Sequence, residues 1–205
     1  MDDPILAVVP CKPFAEAKQR LAQVLDAGER ADLSRRLLEH ALAVLSRARG
    51  ISRVAVVSRD DEVLRVARGR GAWAIWEAQA GLNVALEQAT RVAVANGFRG
   101  VLILPADLPN VETREVEEIV ALAQTPPCVV IAPAQRDEGT NALLVRPAGF
   151  IDYAFGEKSS VEHRRRAEAA GARVEVYRSP GLAFDLDLPE DWHSMQAAAR
   201  SLEGD

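Results

Sequence analysis

The amino-acid sequence predicts an α/β protein with a mostly parallel sheet covered by helices. Three observations predict it. Short unbroken apolar runs recur along the chain, segments of helical period separate them, and no internal repeat, low-complexity stretch or Gly/Ser/Pro-rich linker interrupts the alternation. Strands buried on both faces read as continuous apolar runs. Strands alternating with helices imply βαβ units.

The elements follow in order. Ile5-Leu6-Ala7-Val8-Val9-Pro10 is the first buried-strand pattern. Residues 30–49 carry leucines at 33, 37, 38, 42 and 45, a spacing near that of a helix. Residues 54–57 form the next apolar run, and Asp60-Asp61-Glu62 opens a helix with the negative charge its N-terminus favours. Residues 83–96 are Ala-rich and helical, with Gly97 placed as a C-cap. After the run at 101–104, Thr113 to Glu117 open a helix over 112–123. Pro126-Pro127 precedes a strand at 129–132. Residues 141–146 and 173–177 are further strands, the last alternating in polarity and therefore expected near an edge. A helix over 161–170 is closed by Gly171, and Pro189-Glu190-Asp191 starts the last one, with proline in the first turn.

A length of 205 residues fits one domain spanning 1–205, at roughly 150 residues per domain. Apolar residues make up 48%, enough for a sizeable core. A formal charge of −5 argues against a general nucleic-acid binder, which needs a basic face, but leaves room for a local basic pocket. Cys11 and Cys128 read as reduced structural thiols, since two cysteines in this length make no disulfide framework. The acidic start Met1-Asp2-Asp3-Pro4 fits no signal peptide, and no run approaches the ~18 apolar residues of a membrane span. The expected compartment is the cytoplasm, with no membrane partner.

In open sheets of this kind ligands bind beyond the carboxyl ends of the strands. After the first strand come Lys12, Lys18 and Arg20, three cations within nine residues. They suit a polyphosphate, which Arg grips bidentately, or a solvated helix face of alternating charge. Asp107 follows the 101–104 run between Pro105 and Pro109; it is either held rigidly at the ligand edge or caps the next turn. Asp185 and Asp187 point to one side of an extended segment. Two like charges on one face repel unless a cation or donors stand between them, and Mg²⁺ takes carboxylate oxygens. Their other reading is as capping acids before the last helix. Gly81-Leu82-Asn83 precedes a helix: the glycine permits close approach of a flat ligand and Asn83 can read a base edge, but Asn83 as a simple N-cap is the favoured reading. Gly139-Thr140-Asn141 and Gly156-Glu157-Lys158-Ser159-Ser160 offer N–H groups and hydroxyls for phosphate or carboxylate; alternatively they are a turn and a cap, with Ser159 or Ser160 as the cap.

Other chemistries are missing. The chain has no G-x-S-x-G elbow and no G-x-x-x-x-G-K-[ST] loop, and Gly69-Arg70-Gly71 follows a helix rather than a strand. His40, His163 and His193 are scattered, and Arg164-Arg165-Arg166 reads as a solvated face or the wall of an anion pocket.

Taken in order, these motifs resemble those of the CofC/FbiD family, the guanylyltransferases of coenzyme F-420 biosynthesis. The series is Pro10-Cys11-Lys12-Pro13 with Ala17-Lys18-Gln19-Arg20-Leu21, Gly81 to Leu86, Leu104 to Pro109, Gly139 to Leu143, Phe155-Gly156 with Ser159 and His163, and Asp185 to Asp191. It covers nearly the whole chain, and six modest motifs in order are specific. The resemblance implies a GT-A-like nucleotidyltransferase fold, a Rossmann-like three-layer sandwich with a mixed central sheet. It implies GTP and a small phosphorylated carboxylic acid as partners: phosphoenolpyruvate, 2-phospho-L-lactate or 3-phospho-D-glycerate. It further implies Mg²⁺ on Asp107, Asp185 and Asp187, with Lys12, Lys18 and Arg20 on the GTP phosphates. Gly81, Leu82 and Asn83 would lie near guanine, and Thr140, Gly156 and Ser159 would hold the acid. Departures fall at Cys11, at Glu157-Lys158 where the family has Pro-Gly, and at Ser160 in place of an aromatic residue. The last two bear on which acid is accepted. An already anionic phosphate nucleophile needs no general base, so the lack of a placed histidine is no objection. The rivals are a sugar-phosphate nucleotidyltransferase, a nucleotide-sugar glycosyltransferase and a non-catalytic GTP-binding regulatory domain. The first of these usually carries a Gly-rich loop where Pro10-Cys11-Lys12-Pro13 stands. An antiparallel extension of the sheet could support a homodimer.

Overall fold

A computed structural model describes residues 3–202, with side chains as far as residue 197. Seven strands form one sheet: β1 (Ile5–Pro10), β2 (Ile51–Ser58), β3 (Trp73–Trp76), β4 (Gly100–Ile103), β5 (Cys128–Pro133), β6 (Thr140–Arg146) and β7 (Arg173–Val176). Their order is β3-β2-β1-β4-β6-β5-β7. β1 pairs in parallel with β2 and β4, β2 with β3, and β5 with β7. β6 runs antiparallel to both β4 and β5. The sheet is therefore mixed and mostly parallel, as expected, and the alternating strand β7 stands at its edge.

Successive residues of β1 face opposite helical layers. Ile5, Ala7 and Val9 share a cluster with Leu38 and Leu42 of α1 (Ala27–Arg47), Val63 of α2 (Asp61–Gly69) and Ile119 of α4 (Thr113–Leu122). Leu6 and Val8 share the other cluster with Leu86 and Ala89 of α3 (Leu82–Ala95) and Ala167 of α5 (Ser159–Ala169). Each fully buried leucine in these layers is worth about 1.5–3 kcal/mol of transfer free energy. A third cluster joins Leu21, Leu25, Leu33, Leu37 and Leu186. It seats the segment after β1 against the one between α6 (Pro180–Ala183) and α7 (Pro189–Leu202).

α1 begins at Ala27, three residues before the leucine period suggests. Asp26 and Glu29 form a capping box: Asp26 Oδ1 accepts from the Glu29 N–H at 2.8 Å and Glu29 Oε2 from the Asp26 N–H at 2.7 Å. Asp60 caps α2 with a single bond, accepting from the Glu62 N–H at 2.7 Å. Among the described residues no helix is long and apolar enough to cross a membrane.

Candidate active site

The carboxyl ends of β1 to β5 open on one cleft of about 750 Å³. β6 runs against its neighbours, so its first residues, Thr140 and Asn141, arrive at the same edge. Antiparallel pairing thus brings a strand's beginning to the cleft, where parallel strands bring their ends.

The segment after β1 is folded into two short 3₁₀ turns, Phe14–Glu16 and Gln19–Leu21. Lys18 joins them in the left-handed region at φ 53°, a conformation that costs a residue with a Cβ about 1 kcal/mol or more. The strain aims its side chain inward. Lys18 Nζ lies 3.3 Å from Asp107 Oδ2 and 4.0 Å from Asp187 Oδ1. Arg20 pairs with Asp187 at 2.8 Å while remaining exposed. Lys12 lines the cleft and enters none of the ion pairs among the described residues.

Asp107, Asp185 and Asp187 all line the cleft. The Asp107 carbonyl accepts from the Leu186 N–H at 3.0 Å, tying the two acidic segments together. Burial first, then the charge of Asp107, holds the Asp185 carboxyl above the usual carboxylate range, against the pull of Arg136. Three carboxylates lining one cleft are hard oxygen donors, the kind magnesium takes. As they stand, no three His, Cys, Asp or Glu side chains among the described residues group closely enough to hold a metal ion. The cation that Asp107 and Asp187 share is the Lys18 ammonium.

Sequence reasoning missed Arg136, although it stands just past the end of β5, as Lys12 stands just past β1. Its guanidinium donates to Asp191 Oδ2 at 2.7 Å and lies 3.9 Å from Asp185 Oδ2. The same Asp191 oxygen accepts from the Asp187 and Leu188 N–H groups at 3.0 and 2.7 Å. Burial works against its charge, but Arg136 and these two N–H groups outweigh it and keep the carboxyl below the usual range. Asn141 Nδ2 donates to the Leu182 carbonyl at 2.8 Å and fixes the approach to Asp185 from the other side.

On the β1–β3 side, Gly81 is the N-cap of α3 at φ 131°, and its N–H donates to Glu77 Oε1 at 3.1 Å. Leu82 presents an exposed apolar side chain to the cleft. Asn83 neither caps the helix nor lines the cleft. It is the second residue of α3 and clamps the backbone of Phe155, accepting from its N–H at 2.8 Å and donating to its carbonyl at 3.1 Å. The partner is 72 residues away, which local cap chemistry cannot foresee.

On the β6–α5 side, Thr140, Gly156 and Ser159 line the cleft. Neither serine caps α5: the N-cap is Lys158 at φ 52°, Ser159 is the buried first helical residue, and Ser160 Oγ donates to the Glu138 carbonyl at 2.7 Å. His163 is fully buried, with Nδ1 3.0 Å from Thr140 Oγ1 and Nε2 accepting from the Ala154 N–H at 2.9 Å. Cys11 is half-buried and lines the cleft; burial and then the charges of Asp107 and Asp60 push its thiol up to about 12. It stays protonated and is no nucleophile at neutral pH. Cys128 is free and buried.

The fold has close relatives among solved structures. A Desulfovibrio desulfuricans protein assigned as a nucleotide-diphospho-sugar transferase superimposes with a TM-score of 0.76 at 17% identity, over 93% of this chain and 85% of that one. The likeness shows the fold, the α/β fold of that nucleotide-diphospho-sugar transferase class. Within it, the chain belongs to the family of CofC-like guanylyl transferases, whose model matches residues 5–197. The phosphoenolpyruvate guanylyltransferase of Rubrobacter xylanophilus is 43% identical over 95% of this chain and 94% of its own. The 3-phospho-D-glycerate guanylyltransferase of Colwellia psychrerythraea is 32% identical over 90% and 87%.

Proposed function

We propose that the chain transfers GMP from GTP to a three-carbon phosphorylated acid, phosphoenolpyruvate first, releasing pyrophosphate. The observation that carries this reading is the charge layout of the cleft at the carboxyl ends of the strands. Lys18 and Arg20 from the turn after β1 meet Asp107 and Asp187, Arg136 stands beside Asp185, and the hydroxyls of Thr140 and Ser159 line the same cleft with Gly156.

A phosphate oxygen of the acceptor attacks the α-phosphorus of GTP. A new P–O–P bond forms, the bond to the β-phosphate breaks, and pyrophosphate leaves. The nucleophile is anionic already, so positioning and charge neutralisation carry the catalysis. Lys12, Lys18 and Arg20 meet the triphosphate. Gly81 and Leu82 approach the guanine, and Thr140, Gly156 and Ser159 hold the acid. Asp107, Asp185 and Asp187 would hold magnesium, which supplies further charge neutralisation to the polyphosphate when bound. The product class and the family together support a place in coenzyme F-420 biosynthesis.

Phosphoenolpyruvate ranks first because the relative at 43% identity is named for it. The 32% relative named for 3-phospho-D-glycerate keeps that acid as the second reading. The deciding experiment measures pyrophosphate release from GTP and Mg²⁺ with phosphoenolpyruvate, 2-phospho-L-lactate and 3-phospho-D-glycerate in separate reactions. Release with one acid, abolished by EDTA, is the expected result. GTP binding without release from any of them overturns the reading in favour of a regulatory domain.

A further inference from the structure

We propose that His163 is a positioning residue for the acceptor, fixing the Thr140 hydroxyl as a hydrogen-bond donor aimed into the cleft. The inference rests on the acceptor pocket of the proposed function and explains a buried imidazole that the reaction otherwise leaves unused.

The argument begins at Ala154. A backbone N–H can only donate, and this one points at His163 Nε2 at 2.9 Å. Nε2 therefore offers its lone pair and carries no proton. A neutral imidazole then bears its proton on Nδ1. That N–H donates to Thr140 Oγ1, 3.0 Å away. The hydroxyl is now an acceptor toward the ring, so its own hydrogen turns elsewhere. Among the described residues no other hydrogen bond engages it, and Thr140 lines the cleft. The cleft thus receives a neutral donor, the group that a carboxylate or phosphate oxygen requires. In the opposite tautomer Thr140 would donate to Nδ1 and show the anion a lone pair.

The surroundings hold the ring to this state. His163 has no solvent exposure, and the Phe155 ring meets it edge-on at 4.8 Å between centroids. Phe155 is itself gripped by Asn83. Burial, then the neighbouring charge of Arg166, pushes the imidazole down to about 4, against Glu162, so it is neutral at pH 7.

Two variants separate the two bonds of the ring. In His163→Gln the amide oxygen can still accept from Ala154, but the donor to Thr140 is lost. In His163→Asn an amide N–H near the Nδ1 position keeps that donor. The expected result for His163→Gln is a roughly five- to tenfold rise in acceptor KM, the worth of one neutral hydrogen bond, with the KM for GTP unchanged. His163→Asn stays within about threefold of wild type, because the bond to Thr140 survives. If His163 acts through Thr140, the Thr140→Val/His163→Gln double variant matches Thr140→Val alone. An unchanged acceptor KM in active His163→Gln enzyme overturns the proposal, and so do equal rises in both KM values or additive losses in the double variant. Where a variant fails to fold, ¹⁵N NMR of the wild-type imidazole decides instead: a protonated Nδ1 with a bare Nε2 is expected, and the reverse overturns it. If wild type releases no pyrophosphate with any of the three acids, the acceptor reading itself fails. Turnover with an acid but no response to His163→Gln fails this inference alone.

Discussion

Lys18 Nζ lies 3.3 Å from Asp107 Oδ2, so a lysine held in a left-handed turn closes on a carboxylate 89 residues further along the chain. The ammonium, almost fully covered, also reaches Asp187 and lets like charges stand together at the centre of the cleft. Lys18→Met leaves these carboxylates facing one another. It is expected to cost about 1 kcal/mol of stability, a modest value because Asp107 is partly solvated. Turnover is expected to fall roughly a hundredfold with the loss of a phosphate contact. Thermal melting with and without added magnesium checks the first part: magnesium should raise the melting temperature of the variant more than that of wild type.

Asp107→Asn and Asp187→Asn keep the shape of each side chain and remove its charge. Each should lower turnover at least roughly a hundredfold at saturating GTP, while circular dichroism and the melting temperature stay near wild type. A fully active Asp187→Asn enzyme would remove that residue from the metal site.

Asn83→Ala deletes both hydrogen bonds to the Phe155 backbone and leaves a partly buried N–H and carbonyl unpaired. The expected loss is about 1–3 kcal/mol of stability. Because the clamp holds Phe155 in the wall of the proposed acid pocket and Asn83 stands off the cleft, acceptor KM should rise while guanine-nucleotide affinity holds. Equilibrium binding of a non-hydrolysable GTP analogue, set beside acceptor kinetics, separates the two.

His163 sets a pH dependence of stability. Its folded value is depressed to about 4 from an ordinary 6.5, so between these limits the unfolded chain binds the extra proton. Stability is then complete above pH 6.5 and falls as the pH drops toward 4. The expected loss between pH 7 and pH 5 is roughly 2 kcal/mol from this residue. Denaturant unfolding at the two pH values should show that loss in wild type and lack that share of it in His163→Gln.

Local signals in the chain were enough for six of the seven strands and for the longer helices, while the short β3 and α6 went unread. Apolar runs such as Ile5 to Pro10 and the leucines of α1 carry their own periodicity, and the rule of reading just past each strand reached Lys12, Lys18, Arg20 and Asp107. What local signals could not carry was pairing over distance. The reversal of β6 depends on its neighbours, not on its composition. The grip of Asn83 on Phe155 spans 72 residues, and that of Arg136 on Asp191 spans 55. The same gap explains the misassigned caps: Ser160 looks like a cap by composition, but the Glu138 carbonyl from another loop takes its hydroxyl.

The reversed strand also divides labour across the molecule. On the proposed reading, the β1–β3 half carries the residues that would meet the nucleotide, whereas β6, the loop after it and α5 carry Thr140, Gly156, Ser159 and His163. On that reading donor and acceptor fall to separate modules that meet at the central aspartates. Substitutions at 156–160 can retune the choice of acid while the nucleotide half stays untouched. A single ancestral scaffold could in this way diversify its acceptor repertoire one loop at a time.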